Sequence, residues 1–151
     1  MKKLFHLLLV TLFFCVSLSS QDRFTRINDL LIDNELQHTW QDDIFAKTTK
    51  LDLTKAISYC KNLKLNNFNN WRLPTYEELL SIGNYDIYKP IINKAFQNHA
   101  SGHYWSIIYK KTLTGDSLSF IDSIDVRRIY FSDGFSYDND RTGKAFVRCI
   151  K

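Results

Sequence analysis

Glycine and proline are scarce in this 151-residue sequence, which has five glycines and two prolines. That scarcity excludes a collagen-like chain and a low-complexity repeat. The chain also lacks a strong excess of one charge, since 20 Lys and Arg face 16 Asp and Glu. Such a protein has no overall field to attract nucleic acid, so any anion binding has to be local. The hydrophobic share of 44% instead predicts a folded domain with its own core.

The common enzyme signatures are missing from the sequence. It contains no glycine-rich phosphate loop, no nucleophile elbow and no histidine-glutamate metal helix. We therefore expect a protein that is not an enzyme and that needs no cofactor.

The only long hydrophobic run lies at the start of the chain. Lysines at positions 2 and 3 precede an apolar stretch over residues 4–16, and small residues follow at Ser17, Ser19 and Ser20. This order is typical of a secretory signal, and the apolar stretch is too short for a permanent membrane span. We expect a signal peptide over residues 1–20, a single domain over residues 21–151, and export to the periplasm, outer surface or medium. A lipoprotein signal that uses Cys15 is the alternative.

Loss of the signal would leave two cysteines, Cys60 and Cys149. An even pair in an exported chain suggests one disulfide. We expect a structural bridge rather than catalytic thiol chemistry.

Periodicity predicts helices in the first half and strands in the second. Asp52 can cap a helix that has Ala56, Cys60 and Leu63 on one face, and Thr75 opens a second helix with a capping box. Further predicted elements are a hairpin of residues 24–32 and 38–41, a short helix over 90–96, and strands over 104–109, 118–126, 127–132 and 145–150. This layout is α+β.

Several short segments, taken in order, resemble the family of the C-terminal domain of the Legionella collagen-like adhesin. The segments are Thr39-Trp40-Gln41-Asp42-Asp43, Ala56 to Cys60, Trp71-Arg72-Leu73-Pro74-Thr75, Tyr104-Trp105-Ser106, Phe131-Ser132-Asp133-Gly134 and Val147-Arg148-Cys149-Ile150. The resemblance covers roughly residues 28–150.

The resemblance implies a C-type-lectin-like fold, similar to formylglycine-generating-enzyme domains. Such a fold has two helices packed on a small twisted antiparallel sheet, and a disulfide that joins the first helix to the last strand. Cys60 and Cys149 occupy those places. The resemblance also implies a surface or adhesive role, since some members of the family bind sulfated polysaccharides.

A set of basic and aromatic residues in the second half is the candidate ligand site. Arginine forks and lysine charges suit the sulfates and carboxylates of an acidic polysaccharide. The set is Tyr109, Lys110, Lys111, Arg127, Arg128, Tyr137, Arg141 and Lys144. Adjacent strand residues point to opposite faces, so Arg127 and Arg128 cannot both join one patch. Ordinary solvated surface charge is the alternative for this set. The alternative function is a structural or protein-interaction protein of the periplasm or cell surface without glycan binding.

Two other features have a structural and a functional interpretation. Trp40, Trp71 and Trp105 could stack on sugars, but we expect them in the core, with Arg72 and Arg148 as partners of buried acceptors. Asp133, Asp138 and Asp140 could form a loose calcium loop, although a solvated turn is the default and we assign no metal.

Overall fold

The computed structural model describes residues 22–87, 89–109, 124–134, 136–138 and 141–151. The predicted signal peptide, including Cys15, lies outside these residues. Within the described ranges, no helix has the length and apolar character needed to cross a membrane.

Three short strands form the first sheet. They are β1 (Phe24–Ile27), β2 (Leu30–Asp33) and β3 (His38–Gln41), paired antiparallel in that order. The prediction of one strand over residues 24–32 is wrong, because Asn28 adopts a φ of 53° and the chain turns there. Asn28-Asp29 is the kind of pair that favours a tight hairpin turn, so the signal was in the sequence.

The second sheet has five strands among the described residues, and four of them lie in the second half of the chain. Its strands are β4 (Lys50–Leu51), β5 (His103–Tyr109), β6 (Ile124–Tyr130), β7 (Ser136–Asp138) and β8 (Ala145–Phe146), in the order β4-β8-β5-β6-β7. All pairs are antiparallel except β5 with β8. The predicted break after Val126 is wrong, since β6 runs through it in full register with β5.

The helices predicted after Asp52 and Thr75 are present, together with a one-turn helix that sequence analysis missed. α1 (Phe45–Thr48) is that turn, α2 (Leu53–Asn62) is capped by Asp52, and α3 (Tyr76–Ser81) has the Thr75–Glu78 capping box. The α+β class is therefore confirmed.

The predicted helix over residues 90–96 is absent. Ile91 donates its amide to the Phe131 carbonyl at 2.9 Å and accepts from the Asn84 amide, while Ile92 forms a bridge with Gly83. Backbone groups that pair with other segments cannot also form helical hydrogen bonds.

The five-stranded sheet lies between two hydrophobic clusters. Successive residues of β5 enter different clusters, as strand pleating requires. Tyr104 packs in the cluster that contains Leu79 of α3, and Trp105 packs in the cluster that contains Ala56 of α2. Trp40, Trp71 and Trp105 are 0%, 3% and 0% exposed, so the core interpretation of the tryptophans is confirmed.

The disulfide joins α2 to the end of the chain. Cys60 and Cys149 are bonded, with their Cα atoms 5.5 Å apart and a sequence separation of 89. Both residues are fully buried in the cluster that also holds Trp105.

Candidate functional site

Arg127 and Arg128 lie next to each other on β6 but face opposite sides of the sheet. The Arg127 guanidinium carbon lies 4.8 Å from the centre of the Tyr76 ring, on the α3 side. The guanidinium carbon of Arg128 lies 5.5 Å from the Trp105 ring, on the α2 side. The structure therefore splits this pair, as alternation along a strand requires.

The α3 side of β6 brings together an arginine, a tyrosine and a second arginine. Asp125 lies two residues before Arg127 and so shares its face, and Asp125 Oδ1 lies 3.9 Å from Arg141 Nη2. The Ser106 hydroxyl donates to the Arg127 carbonyl at 2.7 Å, which ties β6 to β5 at this point. We call Tyr76, Asp125, Arg127 and Arg141 the β6 basic surface.

This surface is accessible at its edge. The side chain of Arg141 is 56% exposed and that of Asp125 is 23% exposed. Arg127 is half-buried against the tyrosine ring, which orients its guanidinium without removing it from solvent. Sequence analysis missed Tyr76, because nothing in its helical pattern shows that it lies beneath an arginine of a distant strand.

The remaining members of the predicted set are only partly described. Lys144 is exposed near β8. Lys110 and Lys111 lie outside the described residues, as do the side chains of Tyr109 and Tyr137. Their place relative to the β6 basic surface stays a prediction.

The candidate calcium loop is also only partly described, since Asp140 and the side chain of Asp138 lie outside the described residues. Among the described residues, no group of three or more His, Cys, Asp or Glu side chains is placed to hold a metal ion.

Arg148 occupies a fully buried polar centre rather than a ligand site. Its Nη1 donates to Asp42 Oδ1 at 2.8 Å and to the Gln41 carbonyl at 2.6 Å, and its Nη2 donates to the Asn98 carbonyl. Asp42 also accepts from Arg26. The structure thus confirms the prediction that Arg148 partners a buried acceptor.

Arg72 likewise has a structural partner. Its two terminal nitrogens contact the two oxygens of Glu78 at 2.7 and 2.6 Å, and the Glu78 carboxylate also accepts from the Thr75 amide at 2.7 Å. Burial raises the pKa of Glu78, but the hydrogen bonds from Arg72 and Thr75 outweigh it and hold that pKa below its ordinary value. Glu78 is therefore a charged structural anchor at the start of α3.

An asparagine-rich turn forms a second exposed feature. Residues 66–69 and Lys64 line an open groove of about 450 Å³, and Phe68 in that turn is 43% exposed. Sequence analysis assigned no site to this turn. The run Asn-Asn-Phe-Asn-Asn was the available signal, because asparagine tolerates the left-handed backbone that a tight turn requires.

The comparisons with known proteins give one match. The family model described as the Lcl C-terminal domain matches residues 29–151. Neither the curated proteins nor the solved structures gave a match to this chain. The matched range spans every strand and helix from β2 onward, and it includes the disulfide, the Asp42–Arg148 centre and the β6 basic surface. The chain therefore belongs to the Lcl C-terminal domain family, an adhesin-related family.

Proposed function

We propose that this protein is an exported, non-enzymatic binding module that recognises a sulfated or otherwise acidic polysaccharide through the β6 basic surface. The observation that carries the proposal is the placement of Arg127 over Tyr76 and of Arg141 beside Asp125, which shares the Arg127 face of β6. Membership in an adhesin-related family supports the same role.

The chemistry of this surface suits an anionic polymer. An arginine guanidinium can hold two oxygens of a sulfate or carboxylate with parallel N–H donors. Tyr76 limits the conformations of Arg127, so less side-chain freedom is lost when a ligand binds. Asp125 opposes the two arginines, and we expect it to weaken binding of anions without abolishing it.

A non-enzymatic role is consistent with the structural contacts of the cysteines and of the buried carboxylates. Both cysteines of the described chain are bonded to each other. The buried carboxylates of Asp33 and Asp42 each accept from an arginine, and Asp43 accepts from Gln41 and the Ala46 amide. These groups therefore serve the fold.

Retention on immobilised heparin tests the proposal. We expect the purified protein to bind at low salt and to elute as NaCl rises, because salt screens exposed charges. Retention should be the same with calcium and with chelator. The double variant Arg127→Ala/Arg141→Ala should elute at clearly lower salt than the wild type.

The matched control is Lys55→Ala/Lys61→Ala, which removes two charges from the exposed face of α2. It should elute close to the wild type. Equal losses for both double variants would show nonspecific charge attraction and reject the β6 basic surface as the site. A folded wild-type protein that no sulfated or acidic glycan retains would reject the function itself.

A protein partner is the second candidate function. The exposed pair Ile44 and Phe45 favours it, since these residues are 51% and 55% exposed at the start of α1. Co-purification of a protein that Phe45→Ala releases would support this role.

A further inference from the structure

Backbone geometry and hydrogen bonds fix the position of Phe68 in the turn of residues 66–69. Asn66 and Asn67 have φ angles of 48° and 64°, the left-handed pair that a tight two-residue hairpin turn requires. The Phe68 amide donates to the Leu65 carbonyl at 2.9 Å, and the Leu65 amide donates back at 3.2 Å. These bonds close the turn and fix the direction in which Phe68 leaves the backbone.

Two further contacts hold the turn against the body of the protein. The indole N–H of the buried Trp71 donates to the Phe68 carbonyl at 3.2 Å. The Asn66 side-chain amide donates through Nδ2 to the Ile27 carbonyl at 3.4 Å. The turn is thus anchored to the core on one side and to β1 on the other.

The groove beside Phe68 combines an aromatic ring, amides and positive charge. Lys64, Asn66, Asn67, Phe68 and Asn69 line it, and none of these five is acidic. Asn67 and Asn69 are exposed, so their amides face solvent. Lys151 adds a second ammonium, with its Nζ 4.2 Å from the centre of the Phe68 ring.

We propose that this groove is a saccharide-binding subsite for a sugar ring that carries an anionic substituent. The apolar face of the sugar would pack on Phe68, and the asparagine amides would bind its hydroxyl groups. The ammonium groups of Lys64 and Lys151 would bind the carboxylate or sulfate. The inference rests on the proposed function for its class of ligand, but it adds a site made of different residues from the β6 basic surface.

Titration with three oligosaccharides of equal length, followed by NMR, tests the subsite. The probes are oligogalacturonate, sulfated dextran and neutral dextran. We expect the backbone amide of Phe68 to shift with both anionic probes and not with neutral dextran. The tighter of the two anionic probes identifies whether the site prefers a carboxylate or a sulfate.

Phe68→Ala should weaken binding of the anionic probes at this turn by about tenfold. The matched control is Leu36→Ala, which removes another exposed apolar side chain and should leave binding unchanged. Phe68→Trp should retain binding. If Phe68→Ala does not fold, Lys64→Ala decides, since it changes an exposed side chain and should also weaken both anionic probes.

Unchanged binding in Phe68→Ala and Lys64→Ala would overturn the subsite, as would equal affinity for neutral dextran. If Arg127→Ala/Arg141→Ala loses binding while Phe68→Ala keeps it, the proposed function stands and the subsite fails. If the wild type binds neither anionic probe, both fail.

Discussion

At the scale of single residues, Arg148 shows why a charged side chain can be essential without touching a ligand. It is 1% exposed and forms an ion pair with the fully buried Asp42 at 2.8 Å. Its guanidinium carbon also lies 4.7 Å from the centre of the Phe96 ring and 5.8 Å from the centre of the Tyr104 ring. The pair joins the loop after β3 to the last segment of the chain.

The Asp42→Asn variant should therefore have a lower free energy of unfolding than the wild type. Loss of one partner leaves the other charge buried and uncompensated, which costs about 3 to 5 kcal/mol in free energy of unfolding. Urea denaturation at neutral pH measures this loss. The control Asp86→Asn changes an exposed aspartate and should have little effect. Equal stability of the two variants would contradict the role of the pair.

Asp125 gives a residue-scale prediction of the opposite sign. Its carboxylate lies 3.9 Å from Arg141 and faces the same side as Arg127, so it repels an approaching sulfate. Asp125→Asn should raise the NaCl concentration needed to elute the protein from heparin. Asp86→Asn removes the same charge elsewhere and should elute with the wild type. Earlier elution of Asp125→Asn would show that anions do not bind beside this carboxylate.

At the scale of elements, α3 depends on groups at its first turn. The Thr75 hydroxyl accepts from the Glu78 amide at 3.2 Å, and the Glu78 carboxylate accepts from the Thr75 amide and from Arg72. With only six residues, α3 is too short to be stable by propensity alone. Its capping box and the packing of Leu79 fix it beneath Arg127, so the cap also positions the β6 basic surface.

The stability contributed by Glu78 should depend on pH. Burial raises its pKa, but the Arg72 and Thr75 hydrogen bonds lower it below the ordinary value of 4.5. A group with a lowered folded pKa stabilises the fold above its unfolded pKa, and this stability is lost as pH falls through the folded pKa. Glu78→Gln should therefore destabilise the protein at pH 7, and the difference should shrink in acid.

Urea midpoints at pH 7 and at low pH measure this change. Glu77→Gln is the matched control, because Glu77 is an exposed neighbour in the same turn. A difference between Glu78→Gln and wild type that stays constant with pH would contradict the assignment.

At the scale of the whole molecule, one covalent bond and two cores hold distant segments together. The disulfide joins residues 89 positions apart, and the last residues also bridge to Trp40 and Arg72. In the chain-entropy description, closing such a loop stabilises the fold by about 4 to 5 kcal/mol.

Cys60→Ser/Cys149→Ser should accordingly lose a large part of the stability. Urea denaturation of this variant and of the oxidised wild type measures the difference, and thiol titration of the native wild type should find no reactive cysteine among the described residues. A variant as stable as the wild type would contradict a structural role for the bond.

The sequence predicted best where a local signal and the tertiary structure agree. The caps at Asp52 and Thr75 were readable because capping depends on neighbours three residues away. The helix expected over residues 90–96 failed because Ile91 pairs with Phe131, a contact that no local pattern shows. The Asn28 turn was missed because the strand-like residues around it masked its signal.

The candidate site was predictable only in part, because contacts between distant segments leave no local pattern in the sequence. Charge and strand alternation separated Arg127 from Arg128 in advance, and the structure confirms that separation. The contact of Arg127 with Tyr76 joins residues from two distant elements, and the Phe68 groove depends on the left-handed turn at Asn66 and Asn67. Neither follows from residue types alone.

Titration of the wild-type protein with a soluble sulfated polysaccharide tests directly whether the protein binds acidic glycans. Calorimetry at low and at high NaCl, each with calcium and with chelator, measures the affinity, its salt dependence and any need for calcium. We predict that the polysaccharide binds at low salt, that binding weakens strongly at high salt, and that it does not need calcium. Absence of binding at low salt, or binding that chelator abolishes, would contradict it.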